Sequence, residues 1–244
     1  MNYLCLLIFF DFIGFALEPN HDQKNTEIRS KNSMTKTPIK NDIVEHHSYQ
    51  REPMRYIDAT TLEINREPSD LDRLALEFTT ILEKHTPYVI VSGYVSILLG
   101  RARASEDIDI IIPKIPFPQL KKLVHDLKEK NFYCINEEKD SDIFDSLTEG
   151  LAVTFAKQNT MIPNIELKWA KNRIQDLALQ KTITVILPQG TLHISNLELQ
   201  IAFKEKVLRS PKDREDARHI QKVAEGYLDK KLLQHYKEML RDVH

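Results

Sequence analysis

The sequence predicts a mixed α/β (α+β) fold, a mixed β-sheet flanked by helices and followed by a helical C-terminal region. Short apolar runs such as "YVIV" (88–91), "DIDIII" (107–112) and "TITVIL" (182–187) read as strands, with helix-patterned segments between them. After residue 195 the helical pattern continues with no further strand signal. Of 244 residues, 41% are hydrophobic, enough for a real core and against global disorder.

Each element has its own signal. Ser69 caps a helix whose apolar face is Leu71, Leu74, Ala75, Phe78 and Ile81, with Asp72 as the reciprocal partner. Pro87 ends that region, and the strand 88–91 runs into a Ser92-Gly93 turn and a short helix through Leu99. Residues 107–112 form the next strand. Pro116 and Pro118 open a helix to about Lys130, followed by a strand at 132–135 and a helix at 141–149 that Gly150 ends. "LAVTFA" (151–156) and "NIELKWA" (164–170) read as neighbouring strands. A helix at 172–180 and strands at 182–187 and 191–194 follow. Ser195 with Glu198 reads as a capping box for a helix to about Arg209, and Ser210-Pro211-Lys212-Asp213 opens another. The last helix spans about 229–242, with Leu232, Leu233, Tyr236 and Leu240 inward.

Residues 1–53 stand apart. The first nineteen are apolar but interrupted by Asp11, without the basic start of a secretory signal and short for a membrane span. A leader, an anchor and a start placed too far upstream, with Met34 or Met54 as the alternative, are the readings. Residues 20–50 are polar and aperiodic, a linker pattern in which "EHH" (45–47) is an unsupported metal ligand. The expected domains are therefore 1–53, an α/β core at 54–194, and a helical region at 195–244 packed on that core. Lys and Arg total 34 against 36 Asp and Glu, a net charge of −2, which argues against a nucleic-acid-coating protein. Two distant cysteines, Cys5 and Cys134, support neither a disulfide scaffold nor a structural zinc site, and point to a reducing, cytoplasmic setting without stable membrane association.

The chemistry concentrates at "SGYVSILLGRARASEDIDIII" (92–112). Strand alternation sends Asp107 and Asp109 to one face and Ile108 and Ile110 to the other. Two carboxylates so placed suit a divalent cation, and two solvated acids at a strand end are the bland alternative. In "NIELKWA" the same alternation puts Glu166 and Lys168 on one face, offering a third carboxylate from a neighbouring strand. Ser92 and Gly93 form a small turn between strand and helix, and Arg101 and Arg103 bring cations toward the acids. Lys204 shares a helical stripe with Leu197, Ile201 and Leu208, so its stem can be buried while its ammonium reaches a pocket. Asp216 and His219 read equally as functional residues or as a surface pair, and Tyr94 and Trp169 as core residues or base-stacking platforms.

Ser92-Gly93, a helix, Arg103-Ala104-Ser105-Glu106-Asp107-Ile108-Asp109 and a later Glu166 together resemble the nucleotidyltransferase superfamily typified by DNA polymerase beta. The family has Gly-Gly or Gly-Ser in the turn and Asp as third carboxylate, where this chain has Ser-Gly and Glu. The stretch with Leu197-Glu198, Ile201-Ala202, Lys204, Lys212-Asp213 and Asp216-Ala217 resembles the helical part of small prokaryotic nucleotidyltransferases related to abortive-infection toxins. The resemblance spans about residues 70–225. It implies Asp107, Asp109 and Glu166 as catalytic ligands of Mg²⁺ or Mn²⁺, and Ser92, Gly93, Arg103, Ser105 and Lys204 as nucleotide-binding. The implied substrate is a nucleoside triphosphate such as ATP, with an RNA 3′ end (tRNA among them) or a protein hydroxyl as acceptor and an antitoxin-like partner. A metal-dependent phosphohydrolase and a non-catalytic interaction module are the rival readings.

Overall fold

A computed structural model describes residues 54–241. The chain opens on two short strands, β1 (Met54–Asp58) and β2 (Thr61–Ile64), joined in an antiparallel hairpin that the sequence reading did not anticipate. Only one side of β2 is buried and β1 is largely exposed, so neither carries the apolar run that marks the inner strands. Helix α1 (Asp70–Leu82) follows, capped by Ser69 with Asp72 returning to the Ser69 backbone as expected. Then come β3 (Val89–Val91), α2 (Gly93–Leu98), β4 (Asp107–Ile112), α3 (Phe117–Glu129), β5 (Phe132–Cys134), α4 (Asp140–Thr148), β6 (Val153–Lys157) and β7 (Asn164–Trp169). After α5 (Arg173–Gln180), β8 (Thr182–Leu187) and β9 (Gly190–Ser195) complete a mixed sheet of nine strands among the described residues, ordered β1-β2-β8-β9-β3-β4-β7-β6-β5. The mixed sheet, flanking helices and helical C-terminal region match the predicted fold class.

The C-terminal region is α6 (Leu197–Phe203), a wider π turn at Lys204–Leu208, α7 (Pro211–Val223) and α8 (Lys230–Met239). The expected Ser195–Glu198 capping box is corrected. Ser195 ends β9 and accepts from the Gln200 amide, while Asn196 caps Leu199 N–H. Glu198 instead accepts the backbone N–H of Asp229 at 2.8 Å, tying α6 to the start of α8. Two adjacent cap-competent residues left the sequence ambiguous by one position, and the strand claimed the first.

The central sheet has two different faces. On one, Ile90, Ile108, Ile110, Ile112, Ile165 and Leu167 join the main core with Phe78, Leu120 and Leu123 of α1 and α3. On the other, Val89 and Ile111 pack with Ala178 of α5, Leu199 and Ala202 of α6, and Tyr236 and Leu240 at the end of the chain. Burying such apolar side chains is worth about 1.5–3 kcal/mol each and fixes the register of β4, because a one-residue slip would exchange its isoleucines for aspartates. Tyr94 and Trp169 are core residues: the Tyr94 hydroxyl donates to Asp72 at 2.6 Å, and Trp169 packs edge-on against Phe144. Among the described residues no helix is long and apolar enough to cross a membrane. The expectations for residues 1–53, including Cys5 and the histidines at 46 and 47, lie outside the described residues.

A candidate carboxylate site at the strand ends

β4 lies between β3 and β7. It runs antiparallel to β3, with Asp109 opposite Val91, and parallel to β7, with Asp107 opposite Asn164 and Asp109 opposite Glu166. Paired residues on neighbouring strands share a face, so Asp107, Asp109 and Glu166 share the one that also carries Val91 and Lys168. Lys168 bridges two of them, its Nζ donating to Asp109 Oδ1 and Glu166 Oε2, each at 2.8 Å. Burial works against the Lys168 ammonium, but the Asp109 and Glu166 carboxylates outweigh it and push the group up to about 12. Asp107 takes a different partner: the Ser105 hydroxyl donates to its Oδ1 at 3.0 Å. The three carboxylates share a face, but their oxygens do not all lie within 4.8 Å of one another. Among the described residues the set that does so is His125, Asp126 and Glu129 on α3, which could together coordinate a metal ion. That set lies toward the other end of the sheet, where Asp126 pairs at 2.8 Å with His85, ahead of β3.

Ser92 leaves β3 at φ 67°, ψ −137°, a conformation that favours glycine, whereas Gly93 does not have positive φ. Gly93 is small for another reason. A Cβ there would lie 2.8 Å from an Arg103 guanidinium nitrogen and 3.0 Å from its central carbon. Arg103 thus lies directly over the turn, and Nη1 donates to Asp216 Oδ2 at 2.6 Å. Arg101 also bonds Asp216 and reaches Glu215 Oε2 at 2.5 Å. Lys204, expected to reach a triphosphate, is 1% exposed and donates to Asp216 Oδ2 at 2.8 Å. Asp216 is fully buried rather than part of a surface pair, and His219 contacts the Leu99 carbonyl oxygen instead. The helical lysine stripe was legible, but its carboxylate partner was not. Arg101, Arg103 and Lys204 come from distant segments, and only the fold shows them meeting on one acid.

Beside the carboxylates lies a cavity of about 280 Å³. Val91, Ser92, Asp109, Ile111 and Lys168 line its sheet side, Asn172, Gln175 and Ala178 come from α5 and its cap, and Ser195, Gln200 and Phe203 close it. The walls are mostly apolar with amides and hydroxyls interspersed, the composition of a small-molecule pocket. Asn172, Gln175 and Gln200 were not singled out from sequence, since a polar residue in a helix carries no sign that it faces a cavity.

No family model and no curated protein matches the chain. Among solved structures, it is similar to the crystal structure of an antigenic nucleotidyltransferase-like protein from Paracoccidioides brasiliensis. The two share 16% identity at a TM-score of 0.41, over 67% of this chain and 83% of that one.

Proposed function

We propose that the chain is a cytoplasmic, metal-dependent nucleotidyltransferase that moves a nucleoside monophosphate from a triphosphate to a hydroxyl of an RNA 3′ end or a protein, releasing pyrophosphate. The observation that carries the reading is the pairing of Asp109 with Glu166 on parallel strands, with Asp107 on the same face and a cavity alongside. The resemblance of residues 92–109 and Glu166 to the polymerase-beta-type superfamily supports it.

The donor set fits a hard divalent cation. Three carboxylates supply oxygen ligands, and Lys168 Nζ already marks a place for positive charge between two of them. Asp107 and Asp109 would hold Mg²⁺ or Mn²⁺, with Glu166 completing the carboxylate set beside them, and the ion when bound supplies electrostatic stabilisation of phosphate oxygens. Ser92 lines the cavity and offers its hydroxyl to a substrate oxygen, and Ser105 orients Asp107. Arg103 provides a guanidinium at the Gly93 turn, held there by Asp216. Lys204 acts on substrate only indirectly, by neutralising that same acid. The apolar cavity walls would take the base.

One observation favours a non-catalytic, antitoxin-like interaction module instead: the Lys168 ammonium already balances charge on Asp109 and Glu166, so neither needs a metal ion. Triphosphates labelled at the α- or the γ-phosphate separate the readings, with total RNA and candidate proteins as acceptors. Transfer of α-label alone, lost in Asp109→Asn, supports nucleotidyl transfer. Phosphate release with no α-transfer identifies a hydrolase. Absence of both nucleotide binding and turnover identifies the interaction module.

A further inference from the structure

The geometry points to Lys168 as a built-in cation that fills the place of a second divalent ion, leaving the site to hold a single one beside Asp107 and Asp109. This rests on the metal-site reading above and assigns within it a positioning role to a residue outside the motif. Lys168 lies two residues beyond Glu166 on the same face of β7 and opposite Ile111, so its side chain must turn back along the strand to reach both acids. It meets Asp109 and Glu166 at equal 2.8 Å distances, a bridge rather than a chance surface pair. All three side chains are partly withdrawn from solvent, Asp109 the most at 17% exposed against 32% for Lys168 and 34% for Glu166. Two carboxylates in register on neighbouring strands repel each other, and an ammonium between them removes that repulsion without any bound ion.

Charge balance gives the consequence. Three carboxylates less one ammonium leave two negative charges, the complement of one divalent ion. Glu166 is then engaged by the lysine, and its extra methylene relative to aspartate gives it the reach to stay so. Asp109 keeps its second oxygen for the metal, and Asp107, already oriented by Ser105, supplies the other ligand.

The test is Mn²⁺ binding to the full chain, followed by electron paramagnetic resonance of the free ion. A His125→Ala background keeps the α3 cluster out of the count. One Mn²⁺ per chain is expected, and one more in Lys168→Met, with Lys168→Gln as the second variant should the first fail to fold. Glu166→Gln should retain the single ion and Asp109→Asn should lose it. Equal counts and affinities in the parent and both lysine variants overturn the inference while leaving a metal site standing. So does loss of the ion in Glu166→Gln. Absence of Mn²⁺ binding in every protein overturns the metal-site reading together with the inference.

Discussion

Lys204 donates to Asp216 at 2.8 Å, and both side chains are buried, at 1% and 0% exposed. Arg101 and Arg103 complete the set around the same carboxylate. Removing that acid leaves Arg103 without a carboxylate, and leaves Arg101 only the exposed Glu215 and Lys204 only Asp213 at 3.5 Å. Asp216→Ala should therefore destabilise the protein by about 3–5 kcal/mol, the range for breaking a buried ion pair by losing one partner. Urea unfolding measures it, and a loss under about 1 kcal/mol would mean that water already serves these cations.

Lys204 also sets a pH dependence. Burial pushes its ammonium down to about 8, against the pull of Asp213 and with the help of Arg103 and Arg101. The unfolded chain holds this proton up to the ordinary lysine value of 10.5. Between those two values the unfolded state binds more protons, so stability rises with pH across this window and is flat below it. The difference in unfolding free energy between wild type and Lys204→Met, followed from neutral pH upward, should grow in favour of wild type above about pH 8. A difference that stays constant or shrinks contradicts the assignment.

The turn makes opposite predictions for adjacent residues. Ser92 occupies a strained backbone conformation, which costs about 1–3 kcal/mol, so Ser92→Gly should stabilise modestly once the added freedom of the unfolded chain is subtracted. Gly93→Ala should destabilise by about 1–3 kcal/mol, because its Cβ meets a guanidinium that Asp216 pins in place. Adding Arg103→Ala to Gly93→Ala should cost less than the sum of the single changes. Thermal midpoints of the four proteins check both signs, and strict additivity would separate Gly93 from Arg103.

How much of this was legible depends on the range of each signal. The face of Asp107 and Asp109 was readable because Ile108, Ile110 and Ile112 mark the opposite one, a period-two pattern within six residues. The Ser69–Asp72 cap was readable for the same reason, since both partners lie in one turn. The partnership of Asp109 with Glu166 was only half readable. Alternation gives the face, but no local rule gives the parallel register that sets them opposite each other. Lys168 was visible as a same-face neighbour, but its role as a bridge requires that register. Asp216 looked like a surface acid because its neighbours in sequence are charged, and its burial follows from partners more than a hundred residues upstream. The β1–β2 hairpin was missed because an exposed edge needs little apolar patterning.

The anchoring of Arg101 and Arg103 by Asp216 bears on how the chain is born. The acid follows its two arginines by 115 and 113 residues. Synthesis delivers the N-terminal side first, so the 101–106 segment leaves the ribosome without the carboxylate that anchors its two guanidinium groups until α7 is made. Its neighbouring strands wait as well, β3 for β9 and β4 for β7. A nascent chain halted before Ser210 would already carry Asp107, Asp109 and Glu166, yet lack the carboxylate that seats Arg103 over the Gly93 turn. Translation of the last helices is what closes the first motif.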